Sequence, residues 1–412
     1  MNDSIVRKLQ LLFLIGFSNL ITVINYLLDW PLVKFANFRV PDFTDSQPLK
    51  SIECFGSLGL NVYDIENPAF PDCGYNYGSI LLVLGKVLGL NGGIYRQVSI
   101  IFALLVSTII AIVLGNYLTS NLKLTYFLVF VLVTSPPISF LFERGNFDQL
   151  IFILIFVAAF AQANKWRLLS LIIIALTALI KFYSFPLLVL FVIANWRFVN
   201  KFILIFTPIL TFIMIFLDIS RITWFPSTGG CCQFGGASFS YYFRFLGMTG
   251  HQDFWIITGV AILILGALVI LKLPIRLFPV LRNTVDTKSN TMTTIQIFIE
   301  WTSLIVITSY IAGFNYDYRL VFYVTGGLII FQKITEYSTS NVVWALLFIT
   351  SLWGTIGLGS EHVSNSITIL VIVTLFQIIG DLSLYLVVSY MVAFFIKEFL
   401  LISLKKYLLK IN

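Results

Sequence analysis

The chain has 412 residues, of which 58% are hydrophobic and only 11% are charged, and its formal net charge is +7. A water-soluble domain cannot cover such a sequence with polar surface, so the composition excludes a soluble globular protein. The basic residues lie mostly in short segments between apolar runs, which argues against a nucleic-acid partner. Many apolar runs reach the roughly 20 residues that cross a bilayer as a helix. An all-α polytopic membrane bundle, in contact with membrane lipids, is therefore predicted.

The first helix is predicted over residues 11–28. Arg7 and Lys8 precede it and place the amino terminus in the cytoplasm by the positive-inside rule, so the polar segment 29–77 is expected outside. The next apolar stretch, 79–90, is short for a crossing. We predict an interfacial or re-entrant helix there, which returns the chain to the external side.

Further helices are predicted to alternate across the membrane, with eleven to thirteen expected in total. They are expected near residues 96–118, 124–142, 149–164, 168–184, 185–196, 201–219, 295–313, 319–335 and 341–358. A second external segment is expected over 220–253. The last apolar stretch is interrupted at Gly380 and Asp381. It is either one long crossing or two segments.

All four cysteines fall in the two long segments that the charge pattern places outside. They are Cys54, Cys73, Cys231 and Cys232. An oxidising compartment permits disulfides, and four cysteines allow three pairings. A disulfide bond between Cys54 and Cys73 would cross-link the first external segment. Cys231 and Cys232 either form a vicinal disulfide, pair elsewhere or stay reduced.

Polar clusters occupy the predicted external ends of several helices, at residues 41–45, 143–148 and 315–319. Arg96 and Lys181 also lie at external ends, against the positive-inside trend, which indicates an anionic ligand. A sugar that leaves a phosphate puts negative charge on the leaving group, which Arg or Lys stabilises, while an Asp accepts the proton of the acceptor hydroxyl. The pattern therefore favours glycosyl transfer from a lipid phosphate.

The candidate residues form three groups. The candidate bases are Asp42 and Asp45, the candidate phosphate ligands are Arg96, Arg144, Lys181 and Arg319, and the candidate substrate-binding residues are Asn146, Asp148, Tyr75, Tyr77 and Asp317. For each cation alone, a lipid headgroup or a neighbouring carboxylate is an equal alternative, and tyrosines are routine at membrane interfaces. The Asp42 and Asp45 pair suits a divalent metal as well. Few further acidic ligands stand near it in sequence, so neither a metal nor another cofactor is expected.

Several motifs occur in a recognisable order. They are Asp42-Phe43, Gly59 to Asp64, Tyr75 to Tyr77, Ser135 to Pro137 before Arg144 to Asn146, Ile180 to Phe182 with Pro186, and Phe239 to Arg244. This order resembles the GT-C class of membrane glycosyltransferases and, within it, the polyprenol-phosphate-mannose-dependent mannosyltransferases. Gly78-Ser79 stands where that group has two prolines, and Asn146 with Asp148 replaces its Gln and Asn spacing.

The resemblance implies Asp42 as general base and external juxtamembrane helices over the site. It divides the single domain, 1–412, into a catalytic module, 1–219, with a juxtamembrane helix at 78–91, and a variable module, 220–412. The implied reaction is inverting transfer of mannose, or of another hexose or pentose, from a polyprenyl-phosphate donor to a lipid-linked, glycan or protein acceptor. A bacterial inner membrane with the site facing the periplasm is expected, and an endoplasmic reticulum membrane is the alternative.

Two competing functions share these features. A lipid-linked sugar flippase or transporter also needs a helical bundle with basic residues, but it predicts internal repeats, and no inverted repeat is visible. An enzyme like an O-antigen polymerase or ligase would use a diphosphate carrier and a long external segment with several arginines. The segment 220–253 holds only Arg221 and Arg244.

Overall fold

The computed structural model describes residues 3–28, 78–89, 94–117, 122–196, 199–221, 233–234, 252–272, 290–311, 315–316, 320–331, 339–354 and 367–408. The α-helices within these residues are α1 (Asp3–Leu27), α2 (Ser79–Val87), α3 (Tyr95–Tyr117), α4 (Leu122–Val133), α5 (Pro136–Arg144), α6 (Asp148–Ala163), α7 (Arg167–Ile180), α8 (Phe185–Asn195), α9 (Lys201–Arg221), α10 (Gln252–Lys272), α11 (Asn290–Ile311), α12 (Val321–Gly326), α13 (Thr339–Trp353) and α14 (Ile367–Leu408). Two 3-10 segments, Phe182–Ser184 and Gly327–Phe331, and two short strands, β1 (Gln233–Phe234) and β2 (Asn315–Tyr316), accompany them.

Among the described residues, five helices are long and apolar enough to cross a membrane, and α4 with α5 makes a sixth if this bent pair is one span. The five spans are Ile5–Leu27, Arg96–Tyr117, Lys201–Ser220, Thr293–Ile311 and Ile378–Lys397. Large apolar side chains face outward, such as Phe13 and Phe202, each 71% exposed. Lipid solvates such a surface, whereas water does not. The chain is therefore an integral membrane protein, and the predicted all-α bundle is confirmed; the expected number of crossings stays a prediction.

The helix predicted over 124–142 is wrong in one respect, because it is broken in the middle. α4 and α5 meet at Thr134 and Ser135 with a bend of 56°. Ser135 is extended, with φ −59° and ψ 147°, and Pro136-Pro137 occupies the first positions of α5. A residue before proline is disfavoured in the helical region, and proline lacks the N–H that a continuous helix would need.

The described core is centred on α6, which packs against α3, α7 and α11. The fully buried rings of Phe152 and Phe298 pack edge to face, with centroids 5.1 Å apart, and Phe322 of α12 lies 5.9 Å from Phe152. Helices from before and after residue 219 thus share one core. The region predicted as a single helix over 319–335 is shorter than expected, since α12 ends at Gly326 and a 3-10 segment follows.

Of the two alternatives for the last apolar stretch, one segment or two, the structure has one helix, because α14 runs without interruption through Gly380 and Asp381 over 42 residues. At about 1.5 Å per residue such a helix is roughly 60 Å long, about twice the hydrocarbon thickness of a bilayer. Gly380 serves close packing instead. A Cβ added to it would lie 2.6 Å from the Cα of Gly354, immediately after α13.

The strands β1 and β2 pair antiparallel, with Gln233 opposite Tyr316 and Phe234 opposite Asn315. β1 belongs to the second segment that the charge pattern places outside, and β2 belongs to the polar cluster at 315–319. These two segments therefore meet directly, and their placement outside the membrane stays a prediction.

Candidate functional site

A polar turn connects α5 to α6 and contains two of the predicted substrate-binding residues. Gly145 ends α5 in the left-handed conformation, with φ 61°, and its N–H donates to the carbonyl of Phe142 at 3.1 Å. The side-chain oxygen of Asn146 accepts from the backbone N–H of Asp148 at 2.9 Å. Because the first N–H groups of a helix have no partner within it, Asn146 satisfies one of them. This turn fixes where Asp148 enters the bundle.

Lys181 lies at a second break, which corrects the continuous helix predicted over 168–184. α7 ends at Ile180, and Lys181 is extended, with φ −138° and ψ 114°. Its N–H donates to Thr177 O at 2.9 Å, and its carbonyl accepts from the N–H of Ser184 at 3.2 Å and from the Ser184 hydroxyl at 2.9 Å. The break therefore leaves both backbone groups of Lys181 hydrogen-bonded.

The two breaks bring Asp148 and Lys181 together. Lys181 Nζ lies 3.5 Å from Asp148 Oδ1, and the Tyr183 hydroxyl donates to the same oxygen at 2.6 Å. The ring of Tyr183 packs on Phe322 of α12 with centroids 5.8 Å apart, and this contact restrains the position of the Tyr183 hydroxyl. Residues separated by more than thirty positions along the chain thus form one polar cluster, which we call the Asp148 cluster: Asp148, Lys181 and Tyr183.

The burial of the Asp148 cluster determines what it can do. The side chain of Asp148 is fully buried and that of Lys181 is 11% exposed. A buried carboxylate needs a cation and hydrogen-bond donors close by, and Lys181 and Tyr183 supply both. At 3.5 Å the Lys181 ammonium is within ion-pair distance of Asp148 Oδ1, so the buried carboxylate holds Lys181 in place at the end of α7.

The short helix α2 docks beside Lys181, and its interfacial or re-entrant placement stays a prediction. The N–H of Gly78 donates to Ile180 O at 3.1 Å, and a Cβ added to Gly78 would lie 1.5 Å from Leu179 O. Only glycine fits this contact. Asp218 of α9 completes the junction, since its Oδ2 accepts from the N–H of Ser79 at 2.9 Å and from the Ser79 hydroxyl at 3.1 Å.

The predicted site residues fall into four groups. Asn146, Asp148 and Lys181 are brought together, and Arg96 lies exposed in the first turn of α3. Outside the described residues lie Asp42, Asp45, Cys54, Cys73, Tyr75, Tyr77, Cys231, Cys232, Asp317 and Arg319, and for Arg144 only the helical backbone is described. The roles assigned to all of these residues stay predictions.

Tyr183 and Asp218 belong to the site but were not identified from the sequence. Tyr183 stands two residues after Lys181, inside a stretch predicted to be continuous helix, where these two side chains would point in different directions. Asp218 is 3% exposed and lies near the end of an apolar helix. A carboxylate inside an apolar helix is a usable signal, because such a group needs a specific partner.

Within the described residues, no group of three or more His, Cys, Asp or Glu side chains is arranged to hold a metal ion. Compared with protein-family models, curated proteins and solved structures, the chain matches none of them. Its resemblance to the GT-C class therefore rests on the motifs in its sequence.

Proposed function

We propose that the chain is a membrane glycosyltransferase that moves a sugar from a polyprenyl-phosphate donor to a lipid-linked, glycan or protein acceptor. The observation that carries the proposal is the Asp148 cluster, in which a lysine is held by a buried carboxylate at the broken end of an apolar helix. A cation in that position suits a phosphate whose lipid tail stays in the membrane.

In the proposed reaction, the acceptor oxygen bonds to the anomeric carbon while the bond from that carbon to the phosphate oxygen breaks. Negative charge grows on the departing polyprenyl phosphate, where Lys181 stabilises it. Asp42 accepts the proton of the acceptor hydroxyl. Because the acceptor attacks in a single displacement, from the face opposite the departing phosphate, the configuration at the anomeric carbon inverts. Asp148 and Tyr183 keep the Lys181 ammonium in position during this step. The reaction faces the periplasm of a bacterial inner membrane.

The donor is tested with the purified protein in lipid vesicles, supplied with mannose linked to polyprenyl monophosphate or to polyprenyl diphosphate. Product is expected from the monophosphate donor. Product from the diphosphate donor alone would instead favour an enzyme like an O-antigen polymerase or ligase. Movement of the intact donor across the bilayer, without transfer to any acceptor, would favour a flippase.

The cation is tested with Lys181→Ala. Loss of one preorganised group that stabilises developing charge lowers kcat by about a hundredfold or more. Lys201→Ala, which removes the same charge from an exposed position at the start of α9, is the matched control and should retain activity. Equal activities of the two variants would remove Lys181 from the mechanism. Asp42→Asn should abolish transfer while leaving the thermal unfolding midpoint unchanged.

A further inference from the structure

We propose that Asp218 is a positioning residue, whose carboxylate clamps α2 against the end of α7 and thereby holds Lys181 in place. The contact joins residues 139 positions apart, from α9 to the first turn of α2. Only the role of Lys181 as a phosphate ligand rests on the proposed function. The clamp itself rests on the contacts of Asp218 with Ser79 and of Gly78 with Ile180.

Asp218 supplies the cap that α2 lacks. The residue before α2 is Gly78, which has no side chain to accept from the exposed N–H groups of the first turn. Asp218 Oδ2 accepts from both the backbone N–H and the hydroxyl of Ser79. A carboxylate is favoured at this position because the amino-terminal end of a helix carries partial positive charge. Asp218 is 3% exposed, so water competes little for the contact.

The cap also determines where α2 sits. Gly78 lies against Leu179 and Ile180, with its N–H on Ile180 O at 3.1 Å. In a continuous helix, Ile180 O would accept from the N–H of Ser184 instead. Here that N–H is bonded to Lys181 O. Gly78 therefore supplies the partner that Ile180 O loses at the break, and Asp218 holds Gly78 there.

Losing the clamp should consequently release Lys181. Without Asp218, the first turn of α2 loses two hydrogen bonds to a carboxylate, and the docking of Gly78 on Ile180 is weakened. Without Gly78 docked on Ile180, the backbone at Lys181 would be less constrained. The Lys181 ammonium would then sample positions away from Asp148. Asp218 would thus act on the donor through Lys181, without touching the donor.

The test compares Asp218→Ala with Asp218→Asn. The amide oxygen of asparagine can accept both hydrogen bonds from Ser79, so the second variant keeps the clamp and loses only the charge. Two readouts are used: the rate at which an amine-reactive reagent modifies Lys181, measured by mass spectrometry, and the KM for the polyprenyl-phosphate donor. Asp218→Ala should raise both by about tenfold, and Asp218→Asn should stay within about threefold of the parent chain.

Asn195→Ala is the matched control for general destabilisation. Asn195 is 2% exposed, accepts from Gln162 at 3.0 Å and donates to Phe191 O at 3.0 Å, so its loss also breaks two buried contacts. It should lower the thermal midpoint without changing the labelling of Lys181. If Asp218→Ala fails to fold, Ser79→Ala removes one of the two contacts and should give a smaller increase in both readouts.

The outcomes separate the clamp from the proposed function. Unchanged Lys181 labelling in Asp218→Ala, or equal labelling in Asp218→Ala and Asp218→Asn, would overturn the clamp even if the protein transfers sugar. If Asp218→Ala raises the labelling of Lys181 while the parent chain transfers no sugar, the clamp is supported and the glycosyltransferase proposal is refuted. A raised KM without raised labelling would also overturn it, because Asp218 would then act by another route.

Discussion

Replacing Gly78 with alanine tests the docking of α2 directly. An added Cβ would lie 1.5 Å from Leu179 O and 2.8 Å from the carbonyl carbon of the same residue, closer than any real contact. Both obstacles are backbone atoms, which no side-chain rotation removes. The start of α2 must therefore move off α7, and the hydrogen bond from Gly78 to Ile180 and the contacts of Ser79 with Asp218 are lost or lengthened.

The size of the effect follows from those contacts. A neutral hydrogen bond contributes about 0.5–1.5 kcal/mol and one to a charged group about 1.5–3 kcal/mol, so partial loss of three bonds costs about 2–4 kcal/mol. A local opening made easier by about 2 kcal/mol exchanges amide hydrogens about 30-fold faster. Hydrogen exchange measured by mass spectrometry on residues 79–87 should show at least this acceleration.

Gly16→Ala is the matched control for this change. Gly16 lies in α1, and a Cβ added to it meets nothing within 4 Å. Alanine is favoured over glycine inside a helix by about 1 kcal/mol, so this variant should be neutral or slightly stabilising. Unaltered exchange over residues 79–87 in Gly78→Ala would refute the geometry of the junction. Gly78→Pro should be at least as damaging, because proline also lacks the N–H that Ile180 O accepts.

Two further predictions concern the cluster and the helix packing. Asp148→Asn should lower kcat/KM for the polyprenyl-phosphate donor by about tenfold or more, since the negative charge that fixes the Lys181 ammonium is lost. Asp381→Asn makes the same change in α14 and should leave kcat/KM unaltered; equal losses in the two variants would contradict a specific role for Asp148. Gly380→Leu should lower the midpoint of thermal unfolding in detergent, because overpacking against Gly354 costs about 1–3 kcal/mol. An unchanged midpoint would contradict the close approach of α13 and α14.

The boundaries of several helices could be predicted from the sequence because hydrophobic runs and charged ends define them locally. The predicted segments 96–118, 149–164 and 201–219 agree with α3, α6 and α9 to within two residues at each end. The short helix at 79–90 could be predicted as well, because its apolar run is short for a crossing and stands apart from the runs on either side.

Other features have a local signal that competes with the apolar run around it, or depend on contacts between distant segments that no local pattern carries. The break at Ser135 had a local signal in the two prolines that follow it. The break at Lys181 had a weaker one in Pro186, which lacks the N–H that a continuous helix would need. The partnership of Ser79 with Asp218 had none, because it joins segments 139 residues apart. The close approach of Gly380 in α14 to Gly354 likewise had no local signal, because only the packing reveals it.

The Gly78-Ser79 pair, which stands where the motif that the sequence resembles has two prolines, has a physical role in the same junction. At residue 78, proline would remove the N–H that Ile180 O accepts and would add atoms where Leu179 O lies. At residue 79, it would remove the N–H and the hydroxyl that donate to Asp218. Gly78, Ser79 and Asp218 therefore depend on one another in forming this junction. A chain with prolines at 78 and 79 would have to dock this helix by other contacts. Introducing prolines at these positions should therefore disrupt the junction, even though the sequence would then be more similar to the motif.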